Sequence, residues 1–483
     1  MISRKGTFAL FTLIILEGYV VLSSELIAIR LNLPFVGSGT DTISIIIAAI
    51  LMPLAFGYHA GGRFKPGNHI IFPGFKNHIN IREKLIINLL TALIFLLFAL
   101  SYSFIDLFFN TIYETGFKNR IIATTLYAML FLVMPVYLLG QTIPLSCNFF
   151  KQKKLAKITG KILFCSTLGS FAGAIFSTLV LMSHIGVHNT AIINFFILGL
   201  LITLLSRERM SLRIALTWTL ILAGVMTNSS QAMRREHSIV ENNQYNTISI
   251  IQDHNERHLV LNGNMSSMYS DDHRKYKYVQ FIEQIALGPI WNETDNPKDI
   301  LVIGAGAFTL GYGDKGNHYE YVDIDKSLKD IAEKFILKQP LQNNQTFHPL
   351  PARAFLTQTN KKYDVIILDA YQGIASIPEH LITREFFAEI KDHLKDDGKM
   401  LGNFAVIPNF KSAFSRNLDN TIRSVFPHVS RHSIHDYYAL WQEEDSTITN
   451  MIYIYSNNPD TDTKTIYSDL KNRSFLDDPG ETD

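Results

Sequence analysis

The chain has 483 residues and a net charge of +1, so it is long enough for more than one domain and carries no basic excess to hold a nucleic acid. Hydrophobic residues make up 47% of it and crowd into roughly the first 230 positions. The two cysteines, Cys147 and Cys165, both lie in that apolar half, which excludes a disulfide framework for the rest.

A bilayer core takes about 20 apolar residues per helix. Seven runs reach or approach that length, over residues 7–30, 43–61, 84–108, 121–146, 162–183, 189–205 and 213–227. They predict an α-helical membrane bundle of about seven helices, a multi-pass domain over residues 1–230 whose partner is the lipid bilayer. The first run follows Ser3-Arg4-Lys5 with no small-residue cleavage site behind it, and so reads as a retained helix in place of a signal peptide.

Basic residues alternate between the loops. Arg4 and Lys5 precede the first run, and Arg63, Lys65, Lys76, Arg82 and Lys84 lie between the second and third. Lys151, Lys153, Lys154, Lys157 and Lys161 follow the fourth, and Arg207, Arg209 and Arg213 follow the sixth. Loops 31–42 and 184–188 have no Lys or Arg, and 109–120 has only Lys118 and Arg120. This alternation predicts a cell-membrane protein with a cytoplasmic N-terminus. Seven crossings would carry the C-terminal half to the far side, and one fewer would keep it inside; both options stand. Glu17 and Glu25, in apolar surroundings, are functional candidates because charge in lipid is costly. The alternative is a structural role, with Arg30 reaching the interface.

From about Glu236 the charge density rises to that of a soluble domain. Tyr245–Gln252 and His258–Leu261 read as strands of a small antiparallel element, closed by Asn262-Gly263, over a segment 236–290. Lys275–Leu287 reads as an amphipathic helix. Residues 291–456 then alternate strand and helix: strands at Ile300–Ile303, Tyr319–Ile324, Tyr363–Leu368 and Lys399–Val406, helices at Lys326–Leu337 and Thr383–Leu394. Such alternation predicts an α/β, Rossmann-like domain with a parallel sheet and helices on both faces. Residues 457–483 are polar and acid-rich and read as a loose tail. In sheets of this kind ligands bind beyond the carboxyl ends of the strands, where Gly304, Gly306, Asp323 and Asp369 fall. Glycines let backbone approach a nucleoside, and an acid ending the second strand can bind ribose hydroxyls. Asp325 reads as a helix cap. Arg353 faces either the site or an acid on the surface. His432, His435 and Asp436 lack a fourth ligand at useful spacing, so no metal is expected.

The stretches YNTISI, HLVLNG, ILVIGAG, YVDID, ARAFL, YDVIILDA and IPEHLITREFF resemble the spermidine synthase (polyamine aminopropyltransferase) family. ELIAIRLNLPFVGSG and LAFGYHAGGRF resemble its integral-membrane branch, in which membrane helices are fused to the synthase. The resemblance implies aminopropyl transfer from decarboxylated S-adenosylmethionine to a diamine such as putrescine. It implies Asp369 as the base, Gly304, Gly306, Asp323, Asn246 and Ala352 (which opens ARAFL) at the nucleoside, and Tyr276, Tyr278 and Gln372 at the substrate. Departures stand beside these matches. Ala307 and Gln372 replace loop aspartates of the family pattern, Ser266 and Asn246 replace glutamines, and Asn262 and Pro351 replace further aspartates. They imply a degraded polyamine site beside a partly kept nucleoside pocket. Methyl transfer from S-adenosylmethionine on the same sheet is one alternative; a ligand-sensing or transport-related membrane protein without catalysis is another. A homodimer is also left open.

Overall fold

The protein is described from a computed structural model covering residues 4–37, 39–72, 75–117, 119–149, 155–206, 212–292, 294–371, 377–407, 410, 412–434 and 449–456. It divides into two compact units, Met1–Ser249 and Ile250–Asp483. The division falls inside a strand, Thr247–Asp253, whose first half pairs antiparallel with Ile239–Asn242.

Among the described residues, five helices of the first unit are long and apolar enough to cross a membrane: Phe8–Val36, Thr40–Arg63, Arg120–Cys147, Ala156–Ile185 and Val187–Leu205. Two further pairs, Ile81–Ala99 with Tyr102–Glu114 and Leu212–Asn228 with Ser230–His237, bend by 64° and 50°; counted as single spans they raise the total to seven. Thus the run expected over 84–108 is broken at Leu100-Ser101, and the last expected run turns sharply before Ser230.

Phe8–Val36 and Ala156–Ile185 pack backbone against backbone. A Cβ on Gly169 would sit 2.0 Å from the Ile15 carbonyl oxygen, one on Gly173 2.4 Å from that of Tyr19, and one on Gly18 2.4 Å from that of Ser166. Small residues four apart allow this approach, which drives helix association in lipid. Polar side chains bridge the same helices: Tyr19 Oη meets Ser177 Oγ at 2.8 Å, and Ser177 Oγ donates to Ser23 Oγ at 2.8 Å. Arg30 is buried, and its Nε donates to the Asn243 carbonyl at 2.9 Å, so it is bound within the unit instead of reaching out to an interface.

The second unit begins with a hairpin, Glu256–Leu261 against Asn264–Ser270. Asn262 and Gly263 close it with φ of 50° and 78°, the two left-handed residues that a two-residue hairpin turn requires. Seven strands follow: β1 Asp299–Ile303, β2 His318–Asp323, β3 Gln345–Pro349, β4 Tyr363–Leu368, β5 Leu394–Val406, β6 Ser430–Ile434 and β7 Thr449–Ser456. Their order in the sheet is β6-β7-β5-β4-β1-β2-β3. β1 to β5 run parallel, while β7 pairs antiparallel with both β5 and β6. The all-parallel expectation is therefore corrected to a mixed sheet. β3 and β6 give no apolar run that singles them out, β3 being the polar stretch Gln345-Thr346-Phe347-His348-Pro349; β7 does carry one, Met451–Tyr455, and sequence reasoning missed it.

Alternate residues of β1, Leu301 and Ile303, enter a core with Phe355, Phe387, Ile390 and Ile422 from the helices Ala352–Gln358, Arg384–Asp392 and Ala413–Val425. The near-continuous burial of β1 and β4 is what inner parallel strands require. Their parallel, in-register pairing, with β2 beside β1, places the carboxyl ends of β1, β2 and β4 side by side at one edge of the sheet.

Candidate active site

β1 and β4 are in register from Ile300↔Val365 to Ile303↔Leu368, so Gly304 and Asp369 leave the sheet together. Their backbones touch: a Cβ on Gly304 would lie 2.1 Å from the Asp369 carbonyl oxygen, and φ at Gly304 is 96°. Only glycine satisfies both conditions. Gly306, with φ 50°, lies under Ser267 of the hairpin, whose Oγ would be 2.5 Å from an added Cβ. Ala307 N–H donates to that Oγ at 3.0 Å. The glycine turn is thus held between the hairpin and β4.

Asp323 ends β2 beside this turn. Its Oδ2 accepts from Ala305 N–H at 3.1 Å and its Oδ1 from Asp325 N–H at 3.0 Å. Burial pushes its pKa up to about 6, against the pull of those amides. Asp325 forms the turn before the next helix, accepting from Ser327 N–H at 3.0 Å and Ser327 Oγ at 2.7 Å. Behind the turn, Lys275 Nζ donates to Glu283 Oε1 at 2.6 Å and to the Tyr312 carbonyl at 2.9 Å, and Glu283 also accepts from Gly311 N–H at 2.8 Å. This buried pair fixes the segment after the glycine turn.

Asp369 receives two side-chain donors. Tyr278 Oη lies 3.1 Å from both Asp369 Oδ2 and the Ser266 carbonyl oxygen, its single proton shared between the two acceptors, and Asn403 Nδ2 donates to Asp369 Oδ1 at 2.9 Å. Burial raises the Asp369 pKa to about 6, and these two bonds oppose the rise. Burial, reinforced by the Asp369 charge, holds the Tyr278 hydroxyl well above its usual pKa, so it stays a donor. Asn403 Oδ1 is buried with no partner among the described residues, an open acceptor on the amide that holds the carboxylate. Tyr371 Oη spans the end of β5, donating to the Asn403 carbonyl at 3.0 Å and accepting from Ala405 N–H at 2.7 Å.

The structure therefore brings together Gly304, Gly306, Asp323, Tyr278 and Asp369. Tyr276 stands one ring further back, stacked 6.1 Å from Tyr278, with its Oη 3.0 Å from His258 Nδ1. Ala352 begins the helix after β3, three residues past Pro349, which pairs with Asp323. Asn246 belongs to the first unit, where its N–H donates to Asn243 Oδ1 at 2.9 Å. Gln372 lies outside the described residues. Arg353 pairs with Glu389 through two hydrogen bonds on a partly exposed surface. Sequence reasoning missed Asn403, Ser267 and Tyr371. Asn403 did leave a signal: it is the one amide in the apolar strand Met400–Val406, one residue past Gly402, which pairs with Leu368. Among the described residues no group of three or more His, Cys, Asp or Glu side chains is placed to hold a metal, and His435 and Asp436 fall outside them.

Residues 280–438 match the spermine/spermidine synthase domain model. Over those residues the chain is similar to that domain. The chain is 34% identical over 142 residues to the polyamine aminopropyltransferase of Vibrio vulnificus, covering 28% of this chain and 46% of that protein. The corresponding protein of Oceanobacillus iheyensis is 23% identical over 297 residues, 56% of each chain. The chain thus spans about half the length of the curated relatives it matches. A crystal structure of a probable spermidine synthase from Corynebacterium glutamicum is 20% identical, covering 47% of this chain and 80% of that one, with a TM-score of 0.38. The proteins so named transfer aminopropyl groups, and the extra apolar helices before the matched residues are consistent with a fused form.

Proposed function

We propose that the chain is a membrane-embedded aminopropyltransferase whose nucleoside is decarboxylated S-adenosylmethionine and whose base is Asp369. One observation carries this reading: Tyr278 and Asn403 converge on Asp369 beside the Gly304 turn and Asp323. The acceptor amine attacks the propyl carbon bound to the sulfonium. A C–N bond forms as the C–S bond breaks, and its electron pair stays on sulfur, leaving a neutral thioether nucleoside. The amine proton passes to Asp369. A carboxyl with a pKa of about 6 is ionised at neutral pH and is a stronger base than an ordinary one. Asn403 Oδ1 accepts a second amine N–H and orients the lone pair. Asp323 takes the ribose hydroxyls.

The acceptor presents one ammonium to this site. A diamine brings two charges, and each needs a partner when buried. Asp369 meets one, and Ala307 and Gln372 stand where the family pattern has further acids.

The helical unit sits in the membrane with its N-terminus in the cytoplasm, and the synthase domain faces the opposite side. Residues in or beside the base-free segments 31–42 and 184–188, and beside the bend at Leu100-Ser101, meet residues 236–243. Arg30 binds the Asn243 carbonyl, Ser103 Oγ lies 2.9 Å from His237 Nε2, and Gly186 packs against the Asn242 carbonyl. This supports departure of the chain from the end opposite Arg4, Arg82 and Arg213. It also favours a second reading, in which the domain binds a nucleoside or amine without turnover, because the donor is a cytosolic metabolite.

The test is product analysis with full-length protein, decarboxylated S-adenosylmethionine and either putrescine or a monoamine. Aminopropylated amine together with the thioether nucleoside is expected. Methylated product from S-adenosylmethionine would replace the reading with methyl transfer. Calorimetric binding without product would leave the ligand-binding reading, and no binding of either nucleoside would sink both. A reporter fused after Asp483 should report outside the cytoplasm.

A further inference from the structure

We propose that Glu17, Thr142 and Ser146 form a sodium-ion site inside the helical unit, with the carboxylate supplying the charge and the two hydroxyl oxygens joining it. The site lies wholly in that unit; it rests on the membrane reading and stands apart from the transfer reading. Glu17 is 2% exposed, and its Oε2 has no hydrogen-bond partner among the described residues. No basic side chain among them is placed to offset its charge. A carboxylate buried in this way is costly, and a bound cation removes the cost.

Two open hydroxyls come from a second helix. Thr142 and Ser146 lie one turn apart on Thr142–Cys147, both are fully buried, and neither hydroxyl has a partner among the described residues. Elsewhere in this unit helical hydroxyls return their proton to the carbonyl four residues back. Thr124 does so to Arg120 at 2.7 Å, Thr190 to Gly186 at 2.8 Å and Thr217 to Arg213 at 2.7 Å. Pro144 has no N–H for the Gly140 carbonyl, and the span breaks at Gln141, between Val133–Gly140 and Thr142–Cys147. Membrane transporters hold coupling ions at breaks of this kind.

Two sets of contacts bring these side chains together. Leu13, near the start of Phe8–Val36, and Phe149, just past the end of Arg120–Cys147, line one cavity wall, so the two spans pack in opposite directions. Glu17 follows Leu13 by one turn on the same face, and Ser146 precedes Phe149 by about one turn, which puts them at the same level. From the other side, Tyr58 of Thr40–Arg63 is within electrostatic reach of Glu17. One turn further along that helix Gly61 lies against Gln141 and Pro144, the neighbours of Thr142. All three open atoms are oxygens, which suit a hard cation. One carboxylate balances one charge, which favours sodium over a divalent ion. A proton on Glu17 would remove the charge and leave a hydroxyl oxygen open.

Thermal unfolding of the full-length protein in detergent, titrated with sodium chloride against choline chloride at constant ionic strength, tests the site. Sodium should raise the melting temperature along a saturating one-site curve, and choline should not. Radioactive sodium should count one ion per chain. Glu17→Gln should abolish the sodium response and melt above the parent in sodium-free buffer, because it removes an uncompensated buried charge. That gain separates loss of the site from loss of the fold. Thr142→Val and Ser146→Ala should each raise the sodium concentration at half-response about tenfold, the scale of one lost polar contact. Asp41→Asn, which breaks an exposed pair with Arg120, should leave the response unchanged. Equal responses to sodium and choline, a sodium response kept by Glu17→Gln, or unaltered midpoints in both hydroxyl variants would overturn the proposal. A melting temperature that follows pH and ignores sodium would overturn it in favour of a protonated Glu17. Recovery of the chain in the soluble fraction without detergent would overturn the membrane reading itself.

Discussion

The two compact units treat buried polar groups in opposite ways. In the sheet unit the acids around the site are satisfied: Asp323 accepts two backbone amides, Asp369 two side chains, and Asp314 the groups of Asn317, Tyr319, Asn292 and Gly316. In the helical unit Glu17, Asn32 and Asn194 each keep a buried side-chain oxygen without a partner among the described residues. Such an atom costs about 1–3 kcal/mol. The helical unit offsets that cost with close backbone packing at Gly18, Gly169 and Gly173, whereas the sheet unit uses its polar network to hold chemistry in place. Among the described residues of the sheet unit, His348 Nε2 and Asn403 Oδ1 are buried without a hydrogen-bond partner, and of the two it is the Asn403 oxygen whose amide holds Asp369.

The largest effect expected is at Asp369. Asp369→Asn keeps the shape of the side chain and removes the base, so kcat/KM for aminopropyl transfer should fall about 10³-fold, within the range of general-base catalysis. The same variant should be more stable at pH 8. The folded-state pKa of about 6 lies above the usual 3.8, so the folded protein holds this proton more tightly than the unfolded chain does. The stability this gives is present below about pH 4 and lost as pH rises through about 6. Removing the charge should therefore raise stability at pH 8 by about 1–2 kcal/mol after allowance for partial solvent access. Loss of activity together with loss of stability would show a structural role for Asp369 and break the contrast.

Next come the glycines, which test the comparison directly. Gly304→Ala puts a Cβ on the Asp369 carbonyl at a left-handed φ and should cost about 2–3 kcal/mol, with nucleoside affinity falling roughly 100-fold by calorimetry. Gly169→Ala meets an equally hard backbone contact at Ile15 and should lower thermal stability to a similar degree. Its effect on nucleoside affinity should be nil. If both variants lose affinity alike, the two kinds of glycine are not doing separate work.

The sequence made the site legible in proportion to how locally each residue acts. Gly304, Asp323 and Asp369 could be read because each ends an apolar strand, and strand ends of a parallel sheet converge whatever the loops between them do. Tyr278 needed the family resemblance, since nothing local distinguishes it from Tyr276; the structure separates them by which hydroxyl reaches Asp369. Asn403 and Ser267 were not read, because their roles depend on long-range register between strands and on the hairpin folding over the glycine turn. The apolar runs were legible by length alone, but the bends at Leu100-Ser101 and before Ser230 were not, since hydropathy does not encode helix direction. β7 and β6, antiparallel at the sheet edge, escaped for the same reason: parallel alternation predicts the next parallel strand, not a reversal.

Asn403→Ala gives a smaller, sharper test. It removes one donor to Asp369 and the open acceptor, and should lower kcat/KM about tenfold. The acid limb of the pH profile, expected near pH 6, should also move upward, because the lost hydrogen bond was holding the Asp369 pKa down. A merely structural Asn403 would lower activity and leave the limb where it was.

The smallest effect is expected at Arg353, and it bounds the site from outside. Its guanidinium is bound to Glu389 by two hydrogen bonds, with both side chains about a third exposed. An ion pair of that kind contributes under about 1 kcal/mol, since water screens it and two long side chains must be ordered to form it. Arg353→Ala should therefore shift thermal stability only slightly and leave KM for the nucleoside unchanged. Ala352, one residue earlier, lies at the helix start beyond β3, on the side of the sheet edge that carries Asp323. If Arg353→Ala raised the nucleoside KM several-fold, the guanidinium would have to leave Glu389 in the bound state. The site would then extend along this helix, and the contrast between a satisfied network and a single open acceptor would have to include a second, ligand-dependent charge.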